Sequence, residues 1–187
     1  MTDRRQFVTT RRRVVVGASA AIALAGCAGS TEDPDPISLT DGGSCDQCGM
    51  VIDRQPGPVG QTYYRENEPD GHDPPARFCS TICTFRHRFA RADRGWTPQV
   101  TYLTDYATVD YSVREEGDTR VLSAHLTAEP FTVTEDLDVV AGTDVEGAMG
   151  PAIVPFGESD AAEAFASTYG GEIIEAESIS RELVARG

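Results

Sequence analysis

Phe78-Cys79-Ser80-Thr81-Ile82-Cys83-Thr84-Phe85-Arg86-His87-Arg88-Phe89 reads as a helix taken from its cap inward. Ser80 or Thr81 offers a hydroxyl to accept from the unpaired N–H groups of the first turn. Ile82, Phe85 and Phe89 recur at i, i+3 and i+7 as one buried stripe. Gly95 fits the stop, so the spacing predicts a helix over about Ser80–Arg94. His87 falls off that stripe and is expected as a solvated surface imidazole. Cys79 and Cys83 stand at i and i+4, on one face of the helix start.

Short strands are expected on both sides of this helix. Met50-Val51-Ile52 and Gln61–Arg65 precede it, divided by a Pro-bearing turn, and Val100–Leu103 follows. The acidic loop Glu66–Pro75 lies between strand and helix. Ala107–Val113 alternates with period two as a half-buried strand should, with Val121–Leu126 returning as its hairpin partner. Phe131–Val133, Leu137–Ala141 and Ile153–Phe156 are further strands, Pro155 favouring an edge. Ser159 is expected to cap a second helix that runs to Tyr169 and stops at Gly170-Gly171. Glu172–Glu175 then reads as a strand, and Ser178 opens a last short helix. Strands outnumber helices and hairpin signals recur, which predicts the α+β class. The order also repeats. Met50, strand, Phe78, helix and strand can be laid against Met149, Ile153–Phe156, helix and Ile173-Ile174, which predicts two small ββαβ units at 45–112 and 113–187.

The ends of the chain carry a different message. Arg4-Arg5-Gln6-Phe7-Val8 resembles a twin-arginine export signal, and an uncharged run of 11 residues, Val14–Leu24, suits its apolar segment. Leu24-Ala25-Gly26-Cys27 looks like a lipobox, so residues 1–26 are expected as a signal and Cys27 as a lipid-bearing N-terminus. Residues 27–44 are rich in Gly, Ser, Thr, Asp and Pro and are expected as a flexible spacer between membrane and domain. The 187 residues hold 30 acidic side chains against 16 Arg and no Lys. Removing residues 1–26 takes away five Arg and one Asp, leaving 11 Arg against 29 carboxylates, a formal −18. Such a surface repels nucleic acid. It also resembles the surfaces of proteins from extreme halophiles.

Cys45-Asp46-Gln47-Cys48-Gly49-Met50 concentrates the chemistry. Two thiols and a thioether within six residues are soft ligands that select Cu(I) over hard cations. With Cys79 and Cys83 they form C-x2-C-x30-C-x3-C, a spacing that also serves a tetrahedral zinc site. Four cysteines in an exported chain equally allow two disulfides. A third reading, a thiol oxidoreductase, is opposed by a motif that precedes a short strand and not a helix N-terminus. His72, in the acidic loop, is a candidate ligand; His125 reads as structural. Met149, before Gly150-Pro151, stands in a turn and would match Met50 if the halves are duplicates. No nucleophile, base and orienter stand out, and a non-enzyme is expected.

These residues resemble the NosL lipoproteins, accessory copper chaperones of nitrous oxide reductase. The likeness rests on the lipobox, on Cys45-x-x-Cys48-Gly49-Met50, on Phe78-Cys79-Ser80 and on Tyr102-Leu103-Thr104-Asp105. Its most specific part is the run Ala148-Met149-Gly150 through Phe156, Ala161–Phe165 and Gly170–Ile174. The resemblance implies two ββαβ domains, Cu(I) held by sulfur, and delivery to the reductase's copper centres or its maturation machinery. It implies Cys45, Cys48, Met50 and Met149 as ligands, with Cys83 an addition to the pattern. The acidic, Lys-free composition implies a haloarchaeal member of that family.

Overall fold

Strand β1, Gly60–Tyr64, has its Gly60, Gln61, Thr62 and Tyr64 buried, so both of its faces are covered. The covers differ. On one face Gly60, Thr62 and Tyr64 meet helix α1, Thr81–Ala92. On the other, Gln61 and Tyr63 meet an extended strap of residues 33–41. The Gln61 side chain pairs with both backbone groups of Ile37, accepting at 3.0 Å and donating at 3.0 Å. Tyr63 and Tyr102 donate their hydroxyls to the carbonyls of Asp35 and Pro34. Leu39 is buried in the same cluster. The structure, a computed structural model, describes residues 32–186; the expected signal, Cys27 and the first spacer residues lie outside those. Within the described part, the expectation of a flexible spacer is corrected: Pro34, Asp35 and Ile37 are hydrogen-bonded to the first sheet, and Ile37 and Leu39 pack in its cluster while Asp33, Ser38 and Thr40 stay exposed.

The fold is α+β, as expected. Strand β1 lies between β2, Ala76–Phe78, and β3, Pro98–Thr104, both antiparallel to it. Two short strands, β4 (Val113–Glu116) and β5 (Thr119–Leu122), form a hairpin, and β6, Phe131–Val133, joins the far side of β3. The second sheet is built on β7, Asp138–Ala141. After the two-stranded excursion β8 (Val145–Gly147) and β9 (Gly150–Pro151), strand β10 (Val154–Phe156) pairs with one edge of β7. Helix α2, Ser159–Tyr169, then crosses to β11, Glu172–Glu175, on the other edge. The strand orders are β2-β1-β3-β6 and β10-β7-β11; in each, an inner strand is followed by its neighbour on one side, a helix and its neighbour on the other side. Strands β4, β5, β8 and β9 make a third sheet, and helix α3, Arg181–Ala185, packs on α1.

Four local expectations are corrected. Ala107–Ser112 is irregular, because Asp105 turns the chain with its carboxylate accepting from Ala107 N–H; the alternation that suggested a strand reflects Val109 and Tyr111 packing on Tyr106 and Phe165. Met50-Val51-Ile52 makes one bridge, Ser44 to Val51, and then a single 3-10 turn. Ser159 caps nothing: its hydroxyl donates to Asp138, and Glu158 holds the cap position. The last helix is capped by Ser180, whose oxygen accepts from Leu183 N–H, while Ser178 ends a 3-10 turn.

Candidate metal centre

Four chain segments meet where the strap ends and α1 begins. Leaving the strap, the chain makes a tight loop over Cys45–Met50, closed by Cys45 N–H to the Met50 carbonyl and Gly49 N–H to the Cys45 carbonyl, both 2.8 Å. Gly49 takes a φ of 78°, a left-handed position that any side chain would strain. Asp46 latches this loop to β2. Its N–H donates to the Arg77 carbonyl, and its carboxylate accepts from Arg77 N–H at 2.6 Å. The end of β2 delivers Cys79, and Ser80 caps α1 by accepting from Cys83 N–H at 3.0 Å. Cys83 thus sits in the first helical turn, fixed by the cap.

The result is a sulfur pocket. The Sγ atoms of Cys45, Cys48, Cys79 and Cys83 all lie within 4.8 Å of one another. Cys48 and Cys79 are 3.5 Å apart, Cys79 and Cys83 3.8 Å, and all four are free thiols. An ion with metal–sulfur bonds of about 2.3 Å in tetrahedral geometry keeps its sulfurs about 3.8 Å apart. The pocket therefore fits such an ion without moving the main chain. Cys45, Cys79 and Cys83 are buried, whereas Cys48 is exposed.

Protons in the pocket are unevenly shared. Cys45 is pulled far below the ordinary thiol range, first because Cys79 donates to it, then because Cys83 does, with the backbone N–H groups of Cys79 and Cys48 adding to the effect. Cys79 and Cys83 are pushed up for the converse reason: each is a donor to the Cys45 sulfur. One negative charge is thus easily held by the trio, and further ones require a cation.

The remaining candidates divide. Met50 and Met149, both half-buried, pack on the same cluster as Cys45, Cys79 and Cys83; Met149 comes from the turn between β8 and β9. His72 stays outside the sulfur group. Its Nε2 lies 3.0 Å from Asp46 and its Nδ1 2.8 Å from the Asp73 carbonyl, so it ties the acidic loop to the Cys45–Cys48 loop. His125 contacts the Ser123 hydroxyl and stands edge-on to Tyr106.

His87 is not solvated. It is buried between α1 and the first sheet, its ring 4.9 Å from that of Phe78. Burial, then the guanidinium of Arg91, pull its pKa down to about 4. Arg91 Nε donates to its Nε2 at 3.0 Å, which leaves Nδ1–H to donate to the Tyr64 oxygen at 2.8 Å. The second correction concerns the pair Cys45 and Cys48. Expected to precede a short strand, away from any helix N-terminus, they are followed by one bridge and a 3-10 turn, and in space they lie against the start of α1. The Asp46 latch went unread in the sequence, where only the placing of a carboxylate between the two cysteines hinted at it.

Comparison with known proteins bears on this site. The profile of the NosL family matches residues 36–184. The copper-binding lipoprotein NosL of Stutzerimonas stutzeri is 28% identical over 167 residues, spanning 88% of this chain and 77% of that protein. A crystal structure of the copper chaperone NosL from Shewanella denitrificans superimposes with a TM-score of 0.62 at 25% identity, over 80% of this chain and 99% of the other. No helix among the described residues is long and apolar enough to cross a membrane.

Proposed function

The chain belongs to the NosL family, and from that premise we propose that it is a membrane-tethered Cu(I) carrier outside the cytoplasm, supplying copper to the maturation of nitrous oxide reductase. One observation carries the reading: four thiols converge with one of them open to solvent, and two methionines pack on the same cluster. Thiolate and thioether are the donors Cu(I) prefers, and a carrier needs a ligand that an acceptor can reach. Copper is the cargo here and not a resident cofactor.

The strap sets the length of the proposed tether. A lipid on Cys27 would connect to Asp33, whose carboxylate accepts from Gln99, through six peptide steps, each at most about 3.6 Å and about 22 Å in all. On this reading the carrier works on a short leash, close to membrane-bound maturation partners.

Four converging thiols also favour a second reading, a structural zinc site. The two diverge under test. Anaerobic, reduced protein titrated with Cu(I) against competing chelators should bind one equivalent tighter than micromolar, and Cys48→Ala or Met50→Ala should weaken it. Purification with one zinc, and unfolding when that zinc is chelated, would replace the carrier with the structural reading. Delivery is tested by mixing the loaded protein with copper-free nitrous oxide reductase and following metal transfer.

A further inference from the structure

We propose that Cys48 is the exchange ligand of the sulfur pocket, the first bond to open when copper is handed on and the last to close when it is received, while Cys45, Cys79 and Cys83 hold the ion between exchanges. The inference rests on the Cu(I) reading and assigns different roles within its ligand set.

Burial separates the four. Cys45 is 2% exposed, Cys79 and Cys83 0%, so withdrawing any of their sulfurs means opening the cluster formed with Leu39, Phe78 and Tyr64. Cys83 is further fixed in a capped helix and Cys79 at the strand–helix junction. Cys48 has neither restraint. It is exposed, between exposed Gln47 and Gly49, and its sulfur approaches that of Cys79 at 3.5 Å. Cu(I) is satisfied by two or three soft ligands, so the buried trio suffices to keep it when the fourth leaves.

The exchange balances without redox chemistry. A thiol of the acceptor forms a Cu(I)–S bond and gives up its proton. The Cu(I)–Sγ bond of Cys48 breaks, and Cys48 takes a proton; the bonds to Cys45, Cys79 and Cys83 then break as the acceptor's remaining ligands close on the ion, each freed sulfur taking back a proton from an incoming thiol or from water. Copper stays monovalent throughout. With a thioether acceptor no proton is released, and Cys48 takes its proton from water.

The test uses the reduced full chain and its Cys48→Ser, Cys48→Met and Cys45→Ser variants, each loaded with Cu(I). Equilibrium affinity is read by competition, and transfer to the chelator bathocuproine disulfonate by stopped-flow absorbance. Cys48→Ser should keep its one Cu(I) with weakened affinity and hand it over about tenfold or more faster, because the bond that opens first is already gone and the lost affinity appears in the off-rate. Cys48→Met, which restores a soft exposed donor, should bring the rate back toward that of the wild type. Cys45→Ser should lose its copper. Iodoacetamide should alkylate Cys48 of the loaded wild type while the copper remains. Unchanged transfer by Cys48→Ser, or loss of copper from it as complete as from Cys45→Ser, overturns the assignment and leaves Cu(I) binding standing. A wild type that binds no Cu(I) overturns the carrier reading itself, and this assignment with it.

Discussion

Replacing Leu39 by Ala tests whether the strap is part of the domain or a loose spacer. Leu39 is 1% exposed, packed in the cluster that holds three of the cysteines, and its N–H donates to the Leu126 carbonyl at 2.7 Å. The substitution removes three carbons from a closed site and leaves the backbone bond. Such a deletion costs about 2.7–5 kcal/mol, more where the surroundings cannot collapse. For a domain of this size each kcal/mol lowers Tm by about 2–4 °C, so a fall of about 5–20 °C is expected in thermal unfolding of the reduced, metal-free protein. The neighbouring Thr40→Ala, at an exposed position, serves as the control and should shift Tm by no more than about 2 °C. A Leu39→Ala shift equal to the control's would refute the reasoning, for it would mean that residues 33–41 lie free in solution as their composition first implies.

Removing the titratable ring with His87→Gln should flatten the acid side of the stability profile. The folded state holds His87 neutral down to about pH 4, while the unfolded chain takes up its proton near pH 6.5. Its contribution is therefore fully present above pH 6.5 and is lost as pH falls from there to about 4, by about 3 kcal/mol in all, visible as a Tm difference between wild type and variant that shrinks toward low pH. Ser80→Ala removes the cap that accepts from Cys83 N–H and should cost about 1 kcal/mol by denaturant unfolding, with some loss of Cu(I) affinity because it loosens the turn carrying that ligand. Copper affinity should rise with pH: Cys79 and Cys83 hold their protons tightly in the metal-free pocket, so each proton they release on binding adds about one decade per pH unit, measurable by chelator competition between pH 6 and 8.

Where the sequence carried strong local signals, its reading and the structure coincide. The Ile82, Phe85 and Phe89 stripe is buried against the second core cluster, and Gly95, with a φ of 81°, ends the helix region. His87 was misread because α1 is buried on two faces: the apolar stripe meets one cluster, while Cys83 and His87 meet another beneath β1. A single stripe reports only the first. The strap was hidden by composition, although Ile37 and Leu39 stand at i and i+2, the spacing of a strand-like segment with one buried face. At the site, the four cysteines were legible as a set from their spacing. Which one faces water was not, since exposure depends on how the Cys45–Met50 loop sits on β2 through Asp46, Arg77 and His72.

The sulfur pocket depends on the first sheet for its dimensions. Phe78 is paired opposite Gly60, and Cys79 follows directly, so the register between β1 and β2 sets where the helix begins. Gly60 is the point at which α1 presses closest: a Cβ there would collide with the Thr84 hydroxyl and lie 2.8 Å from Leu103. The absence of a side chain lets the first turn of α1, with Cys83, settle onto the sheet beside Thr84. The Cys45–Cys48 loop is held by Ile52 N–H donating to the Gly43 carbonyl and by Asp46 pairing with Arg77, whose guanidinium also donates to Asp41 at the end of the strap. Three of the sulfurs are therefore placed by rigid elements pinned to one sheet, and the fourth rides on the outer side of a loop that ends in a left-handed glycine. That division, stiff behind and open in front, is what retention and release of one ion require of a single site.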